Sequence, residues 1–322
     1  MKAIRFHQTG GPEVLRYEDI DLPLPAAGQV RVRHTAIGVN FIDTYHRSGL
    51  YKLPLPSGLG SEAAGIVEEL GEGVTSLKTG DRVAYVGALG AYSQANNVPA
   101  DKLVKLPNGV SDEIAAAAML KGMTAQYLLK RTFPVRQGMA ILWHAAAGGV
   151  GLIACQWARH LGVTVIGTVG SDEKIALAHE NGSAHVLNLS KDDWIKRVRE
   201  MTGGEGVPVV YDSVGKETWA GSLNCLAVRG MMVSFGNSSG PVTPFELGTL
   251  AAKGSLYVTR PTLASYTRDA KELQETAGDL FAVIANGAVK IQINQRFKLE
   301  DAAKAHEALH SRKTTGATIL IP

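Results

Sequence analysis

Two stretches of the chain combine residue types and spacing that could do chemistry. In the first, the apolar run Ala140-Ile141-Leu142-Trp143-His144 leads into Ala145-Ala146-Ala147-Gly148-Gly149-Val150-Gly151, and the helical Leu152 to Ala158 follows. Strand, tight turn and helix in that order form a dinucleotide fingerprint, with Ala146, Gly148 and Gly151 in the three glycine positions. Glycine lets main chain approach a pyrophosphate, and the N–H groups of the helix start then face the anion. The second stretch is the strand Val163 to Val169 with its sequel Gly170-Ser171-Asp172-Glu173-Lys174. An NAD-binding fold carries an acid about here for the ribose 2′-OH. This chain offers a hydroxyl first and a lysine one short turn later, a pair that would welcome a 2′-phosphate. NADPH is therefore expected over NADH, and Asp172 and Glu173 read as first-turn acids that complement a helix dipole.

One further pattern competes for attention. His306-Glu307-Ala308-Leu309-His310 is a literal zinc metalloprotease signature, whose two imidazoles share one helix face. A working site needs a third protein ligand. No His, Asp, Glu or Cys follows His310, so any third ligand would come from upstream. The simpler expectation is an amphipathic surface helix.

The elements that must position these residues follow from length and rhythm. At 322 residues, about two domains are expected. The first hundred residues read as strands punctuated by glycine, such as Val30 to Arg33, Gly65 to Gly71 and Gly80 to Val86, which suggests a small twisted β-barrel or sandwich. Ser111-Asp112-Glu113 opens a helix, and the alanine-rich Ile114 to Leu120 fits a buried one. Apolar runs at 139–145, 163–169, 185–187, 207–211, 230–235 and 255–259 then alternate with helical patterns. Six strands with intervening helices argue for a doubly wound parallel α/β sheet of the Rossmann type. The expected division is 1–124 completed by 261–322, with 125–260 as the nucleotide-binding domain.

Composition narrows the classes. Two cysteines, Cys155 and Cys225, are too few for a disulfide framework or a four-thiolate metal site, and both read as core residues. A net charge of +3 without a basic run makes nucleic acid an unlikely partner. The first eight residues hold no apolar segment, and no run of about 18 apolar residues occurs anywhere, so a cytoplasmic protein without membrane contact is expected.

Several motifs in order carry a resemblance that runs end to end: Gly38 to Asp43, Gly60 to Gly65, Lys121 to Ala125, Ala145 to Gly151, Val210 to Gly215 and Ser234 to Asn237. The chain resembles the zinc-independent, zeta-crystallin-like quinone oxidoreductases of the medium-chain dehydrogenase/reductase superfamily. That resemblance implies a GroES-like barrel, a Rossmann domain, an active site in the cleft between them, and a homodimer. It implies NADPH contacts at Phe41, Thr124, Tyr127, Ala147, Gly148, Gly149, Val150, Gly151, Gly170, Ser171, Lys174, Ser213, Phe235, Gly236, Asn237 and Thr259, with Arg312 on the 2′-phosphate. Leu189 departs from the family, where close relatives carry a tyrosine. Zinc-dependent relatives place cysteine and histidine where this chain has Asn40 and Ser61, so no zinc is expected.

The implied reaction is hydride transfer from NADPH to a quinone or other conjugated carbonyl, which leaves negative charge on an oxygen that hydrogen-bond donors must meet. The expected strand-to-loop stretch from Asn40 to Tyr51 supplies Asn40, Asp43, Tyr45 and Tyr51. A tyrosine could stack on a planar acceptor and donate its hydroxyl. The resemblance implies that Asp43 organises the site, and an ordinary carboxyl, with a pKa of about 3.9, is not expected to be the proton donor. Three other readings share the sequence. They are an NADPH-dependent enal, enone or enoyl-thioester reductase, a non-catalytic nucleotide- or RNA-binding protein, and a zinc-dependent alcohol dehydrogenase.

Overall fold

The structure is a computed structural model that describes residues 1–311 and 314–322. Short β-branched runs broken by glycine build its first part: β1 (Lys2–Phe6), β2 (Arg16–Asp19) and β3 (Gln29–Val39), helix α1 (Phe41–Ser48), then β4 (Ser57–Gly58), β5 (Glu62–Leu70), β6 (Arg82–Val86), β7 (Ala95–Pro99) and β8 (Leu103–Lys105). Helix α2 (Asp112–Tyr127) follows, its start held by Ser111 Oγ, which accepts the Ile114 N–H at 3.2 Å. Ala115 to Ala118 are buried, as an alanine-rich helix permits.

From there strand and helix alternate: β9 (Ala140–Trp143), α3 (Gly149–His160), β10 (Thr164–Val169), α4 (Ile175–Glu180), β11 (Ser183–Asn188), α5 (Trp194–Met201), β12 (Val207–Asp212), α6 (Trp219–Cys225), β13 (Leu226–Ser234), α7 (Gly248–Ala252) and β14 (Tyr257–Thr259). The chain closes with α8 (Ala270–Ala285), β15 (Ile293–Lys298), α9 (Ala302–His310) and β16 (Ala317–Ile321).

Two units result among the described residues, one of Met1–Met123, Thr267–Ala285 and Ile291–Pro322, the other of Thr124–Tyr266 and Asn286–Lys290. In the first, β3 is the central strand. It pairs antiparallel with β5, β7 and β16, the last through Thr318 with Val39 and Leu320 with Ile37. Its alternation buries Val30 and Val32 and turns Arg33 outward, as a half-buried strand requires. Gly65 must be glycine, because a Cβ there would lie 2.8 Å from the Arg33 carbonyl carbon and 2.9 Å from the His34 Cα. Ile4, Phe6, Val67, Tyr85 and Leu320 fill the core below.

In the second unit the six strands expected from the apolar runs form one parallel sheet, in the order β11-β10-β9-β12-β13-β14. Strand β9 pairs with both β10 and β12, so the winding reverses beside it. Open α/β sheets bind ligands outside the carboxyl ends of the strands at such a point. Leu142, Ile166, Val210 and Met232 make the core that fixes those ends. In the first unit, Leu320→Ala should cost about 3 kcal/mol, since it hollows the strand that closes the sheet onto β3. Chemical denaturation of the full chain would show it as a lower midpoint for that unit.

Candidate active site

Most of the nucleotide-binding residues expected from the sequence stand at the carboxyl ends of the parallel strands. Helix α3 begins after Gly148, which offers no side chain to cap it, and among the described residues no side chain accepts from its first N–H groups. Those groups and the helix dipole therefore present positive partial charge. A Cβ on Gly151 would sit 2.6 Å from the Ala146 carbonyl oxygen and closer still to that of Ala145, so the turn tolerates only glycine there. Ala145 bends the chain with a left-handed φ of 54°. The residues at the opening, Gly148 to Val150, are half-buried and bring main chain to the surface.

Past β10, Asp172 departs from the helix-dipole reading. Its Oδ1 accepts from Asn188 Nδ2 at 2.6 Å, and its other oxygen pairs with Lys191. The lysine first and the asparagine second hold this carboxyl below its usual range. Residues 172–174 form a single tight 3-10 turn, and the short aspartate side chain reaches the end of β11 more readily than a helix N–H. Its charge is thereby matched within the protein, beside half-buried Ser171 and Lys174.

Past β12, buried Asp212 accepts from the N–H groups of Val214 at 2.7 Å and Gly215 at 3.0 Å, and from Thr218 Oγ1 at 2.7 Å. This pins the turn at Ser213. A Cβ on Gly236 would lie 2.9 Å from the Ser213 Cα, so the ends of β12 and β13 run backbone against backbone. Phe235 packs on Trp143 with ring centroids 5.6 Å apart, and Thr259 ends β14 opposite Val233. Thr124 and Tyr127 belong to the same unit through the end of α2, where Tyr127 stacks on Tyr266 at 4.5 Å and 11°.

In the first unit, Asn40 begins a helix and not the loop expected after β3. The sequence held the reason: Asp43, three residues on, accepts the Asn40 backbone N–H on Oδ2 at 2.8 Å, one half of a capping box. The Asn40 amide is fixed at both ends. Its Nδ2 donates to Glu62 Oε2 at 2.7 Å, and its Oδ1 accepts from Lys121 Nζ at 2.7 Å. Glu62 is fully buried and also accepts the Leu120 N–H at 2.6 Å, while Lys121 Nζ stands 3.6 Å from its Oε2. Lysine only donates and glutamate only accepts, so the orientation of the amide between them is determined.

Asp43 is wholly buried. Its Oδ2 also accepts from the Tyr92 hydroxyl at 3.1 Å, whereas Oδ1 has no partner among the described residues. Burial pushes its pKa up to about 7, against the pull of the Asn40 and Tyr92 hydrogen bonds and of Lys121. The ordinary carboxyl assumed from the sequence does not survive that environment. Around it, Phe41, Tyr45 and Tyr51 form a half-buried aromatic wall, with Tyr45 and Tyr51 at 5.3 Å and 69° and Phe41 6.4 Å from Tyr45.

The His306 to His310 signature is not a surface feature throughout, and among the described residues it belongs to no group of three or more His, Cys, Asp or Glu that could hold a metal ion. His306 is fully buried, with Nε2 3.0 Å from the Tyr92 hydroxyl and Nδ1 3.1 Å from Arg47 Nη1. Arg47 Nη2 reaches His310 Nε2 at 3.5 Å. The imidazoles do share a face, and a guanidinium lies against both.

The structure thus gathers Asn40, Phe41, Asp43, Tyr45 and Tyr51 on or beside α1, and the glycine turn with residues 170–174, 213, 235–237 and 259 at one end of the parallel sheet. Arg312 lies outside the described residues. Glu62 and Lys121 were visible only as members of quoted motifs, and Tyr92, Arg47 and His306 carried no local sign of their part.

Comparison with known proteins agrees with this geometry. Residues 26–108 match the family model of an alcohol dehydrogenase GroES-like domain, and residues 149–279 that of a zinc-binding dehydrogenase. The chain is 57% identical to a quinone oxidoreductase of Pseudomonas aeruginosa, across 100% of this chain and 99% of that protein. It is 46% identical to a 2-haloacrylate reductase of a Burkholderia species, across 99% and 98%. The solved structure of Escherichia coli quinone oxidoreductase complexed with NADPH superposes with a TM-score of 0.99 at 53% identity, covering 100% of both chains.

Fold and site define a medium-chain dehydrogenase/reductase without the donors of a catalytic zinc. Asn40 is committed to Lys121 and Glu62, position 61 is a serine, and among the described residues no group of three or more His, Cys, Asp or Glu could hold a metal ion. Within that superfamily, the chain belongs to the quinone oxidoreductase family.

The acid at the base of α1 has a measurable consequence. Its folded pKa of about 7 lies above the ordinary carboxyl value of 3.8, so between those limits the folded state binds more protons than the unfolded one. Asp43 therefore contributes stability at low pH that is lost as pH rises through about 7. Asn can replace Asp here and still accept both hydrogen bonds. In thermal unfolding from acid to neutral pH, Asp43→Asn should gain on the wild type across that window, and a constant difference would contradict the assignment.

Proposed function

We propose that this chain is an NADPH-dependent quinone reductase that works without zinc. The observation that carries the reading is the uncapped glycine start of α3 on the β9 turn, followed at the end of β10 by Ser171, Lys174 and an Asp172 whose charge is already matched. The space a Cβ would take at Gly151 is closed by the backbone of Ala145 and Ala146, so the start of α3 packs directly on the turn after β9. Ser171 and Lys174 would hold the 2′-phosphate, and the turns at Ser213 and Gly236 would border the nicotinamide half. When bound, NADPH supplies the hydride, which with one proton takes a quinone to the hydroquinone.

The chain's own contribution is to hold the acceptor and meet its developing charge. Tyr45 and Tyr51 present half-buried rings against which a planar acceptor can lie, and each has a hydroxyl to donate. Asn40 has a second amide hydrogen beyond the one given to Glu62. Asp43, with no exposed surface, orients Asn40 and does not touch substrate. A second reading, reduction of an activated C=C bond, draws support from the likeness to 2-haloacrylate reductase. The polar residues of α1 would serve an enolate oxygen equally well.

We also propose a homodimer built on the free side of β14. That strand ends the sheet, Tyr257 is 59% exposed and Val258 37%, and Val228 and Leu247 add apolar surface nearby. An exposed apolar edge strand invites pairing. A cytoplasmic setting agrees with the two free, buried thiols Cys155 and Cys225.

Steady-state kinetics with quinones and enones, each with NADPH and NADH, test the catalytic reading. Gly149→Asp should cut kcat/KM for NADPH by about a hundredfold or more by setting a carboxylate against the pyrophosphate. Lys174→Ala should raise KM for NADPH about tenfold while sparing NADH. Tyr45→Phe and Tyr51→Phe should each cost less than Gly149→Asp, and the reverse order would sink the roles given to both. Sedimentation velocity should find two chains per particle, and Val258→Lys should shift it toward one.

A further inference from the structure

Three buried groups link α1 to the C-terminal helix, and their hydrogens can run in only one direction. Arg47 donates and never accepts, so His306 Nδ1, 3.1 Å from Arg47 Nη1, must be the acceptor. The imidazole then carries its hydrogen on Nε2 and donates to the Tyr92 oxygen at 3.0 Å. The single Tyr92 hydroxyl hydrogen is left for Asp43 Oδ2 at 3.1 Å. Each donor in the series points toward Asp43, and the Asn40 N–H arrives on the same oxygen.

We propose that His306 is a positioning residue of the reductase. Locked in one tautomer by Arg47, it directs the Tyr92 hydroxyl onto Asp43 and so sets whether that carboxyl, and the first turn of α1 bearing Asn40, is held in its ionised form. This deepens the quinone-reductase reading and rests on it for its kinetic readout. Burial first, then the charge of Arg47 and the neighbouring His310 ring, lower the His306 pKa to about 3, so the imidazole stays neutral across the working range. Asp43 is faced by Tyr92, by Lys121 of α2 and by Glu62 of β5, while Arg47 feels Glu13 and Tyr92. The charge of Asp43 changes near neutrality. Its protonation weakens the acceptor for the Asn40 N–H, loosening the turn that carries Asn40, Phe41 and Tyr45. The histidine of an apparent metal signature thus acts on chemistry more than 260 residues before it, through one phenol.

The test reads the Asp43 proton in two ways. Infrared titration of the full chain follows the carboxyl band that disappears in Asp43→Asn, and the pH profile of kcat/KM with NADPH and a water-soluble quinone follows its use. Tyr92→Phe keeps the ring and removes the donor. Both the titration and the acid limb should rise by about one pH unit, the worth of a hydrogen bond to a charged group. His306→Leu should move both the same way. His306→Gln, whose amide can accept from Arg47 and donate to Tyr92, should restore them. A folded Tyr92→Phe whose Asp43 band titrates as in the wild type overturns the inference, and so does a shifted band with an unshifted profile. A wild type inactive with every quinone would defeat the functional reading instead, with the infrared shift still deciding whether His306 governs Asp43.

Discussion

A helix has to find acceptors for its first N–H groups, and the two helices that matter most here solve that requirement in opposite ways. Helix α1 is closed from within: Asp43 reaches back to the Asn40 N–H, and the carboxylate is then tied into side chains from distant parts of the unit. Helix α3 has glycine at its cap and no side chain on its first turn that accepts. Half-buried, its N–H groups present positive partial charge, and in the proposed function a phosphate would meet them with the helix dipole in its favour. The parallel sheet turns this local property into a site. Strands anchored by a shared core deliver the turns at Gly148, Ser171, Ser213 and Gly236 to the same end.

The second constraint is charge without water. Glu62 is completely buried and Lys121 nearly so, and removing either partner of such a pair costs about 3 to 5 kcal/mol, because the other is stranded. Asn40 completes the arrangement, since its amide donates to the carboxylate and accepts from the ammonium at once. A thiolate at this position would pair with Lys121 but set a second negative charge against Glu62. An amide tied at both ends offers neither the thiolate nor the imidazole that a zinc ion takes. Gly38 is part of the arrangement, as a Cβ there would lie 2.7 Å from the Glu62 carboxyl carbon.

What could be read in the sequence was what short-range pattern encodes. The six parallel strands showed as apolar runs because both faces of such a sheet are buried, and the glycine turn showed because its geometry is local. The cofactor preference followed from five consecutive residues after β10. The polar interior of the first unit was hidden for the opposite reason. Asn40 meets Lys121 across 81 positions, Tyr92 meets His306 across 214, and Arg47 meets His306 across 259. No window along the chain contains such pairs, so His306 read as a surface residue and Asp43 as an ordinary acid. Asp172 failed on a smaller scale: its partners, 16 and 19 positions away, belong to the next strand and its sequel. The helix at α1 was missed although its signal was present. Asn and Asp three apart before an amphipathic turn form a start signature, outweighed by the aromatic residues that suggested a binding loop.

Burial sorts side chains of one kind into different work. Tyr92 and Tyr127 are both tyrosines with almost no exposed surface, and burial raises the pKa of each phenol above its ordinary range. Such phenols remain hydrogen-bond donors at any physiological pH, so Tyr92 can transmit a direction without itself changing state. Tyr45 and Tyr51 keep part of their surface, which in the proposed function is what a transient acceptor needs. Asp43 completes the division. Among the described residues it is the buried acid with an oxygen left unpartnered, and a carboxyl that is half satisfied is poised between its two forms. A fully paired acid would hold α1 more firmly and would no longer respond to pH near neutrality.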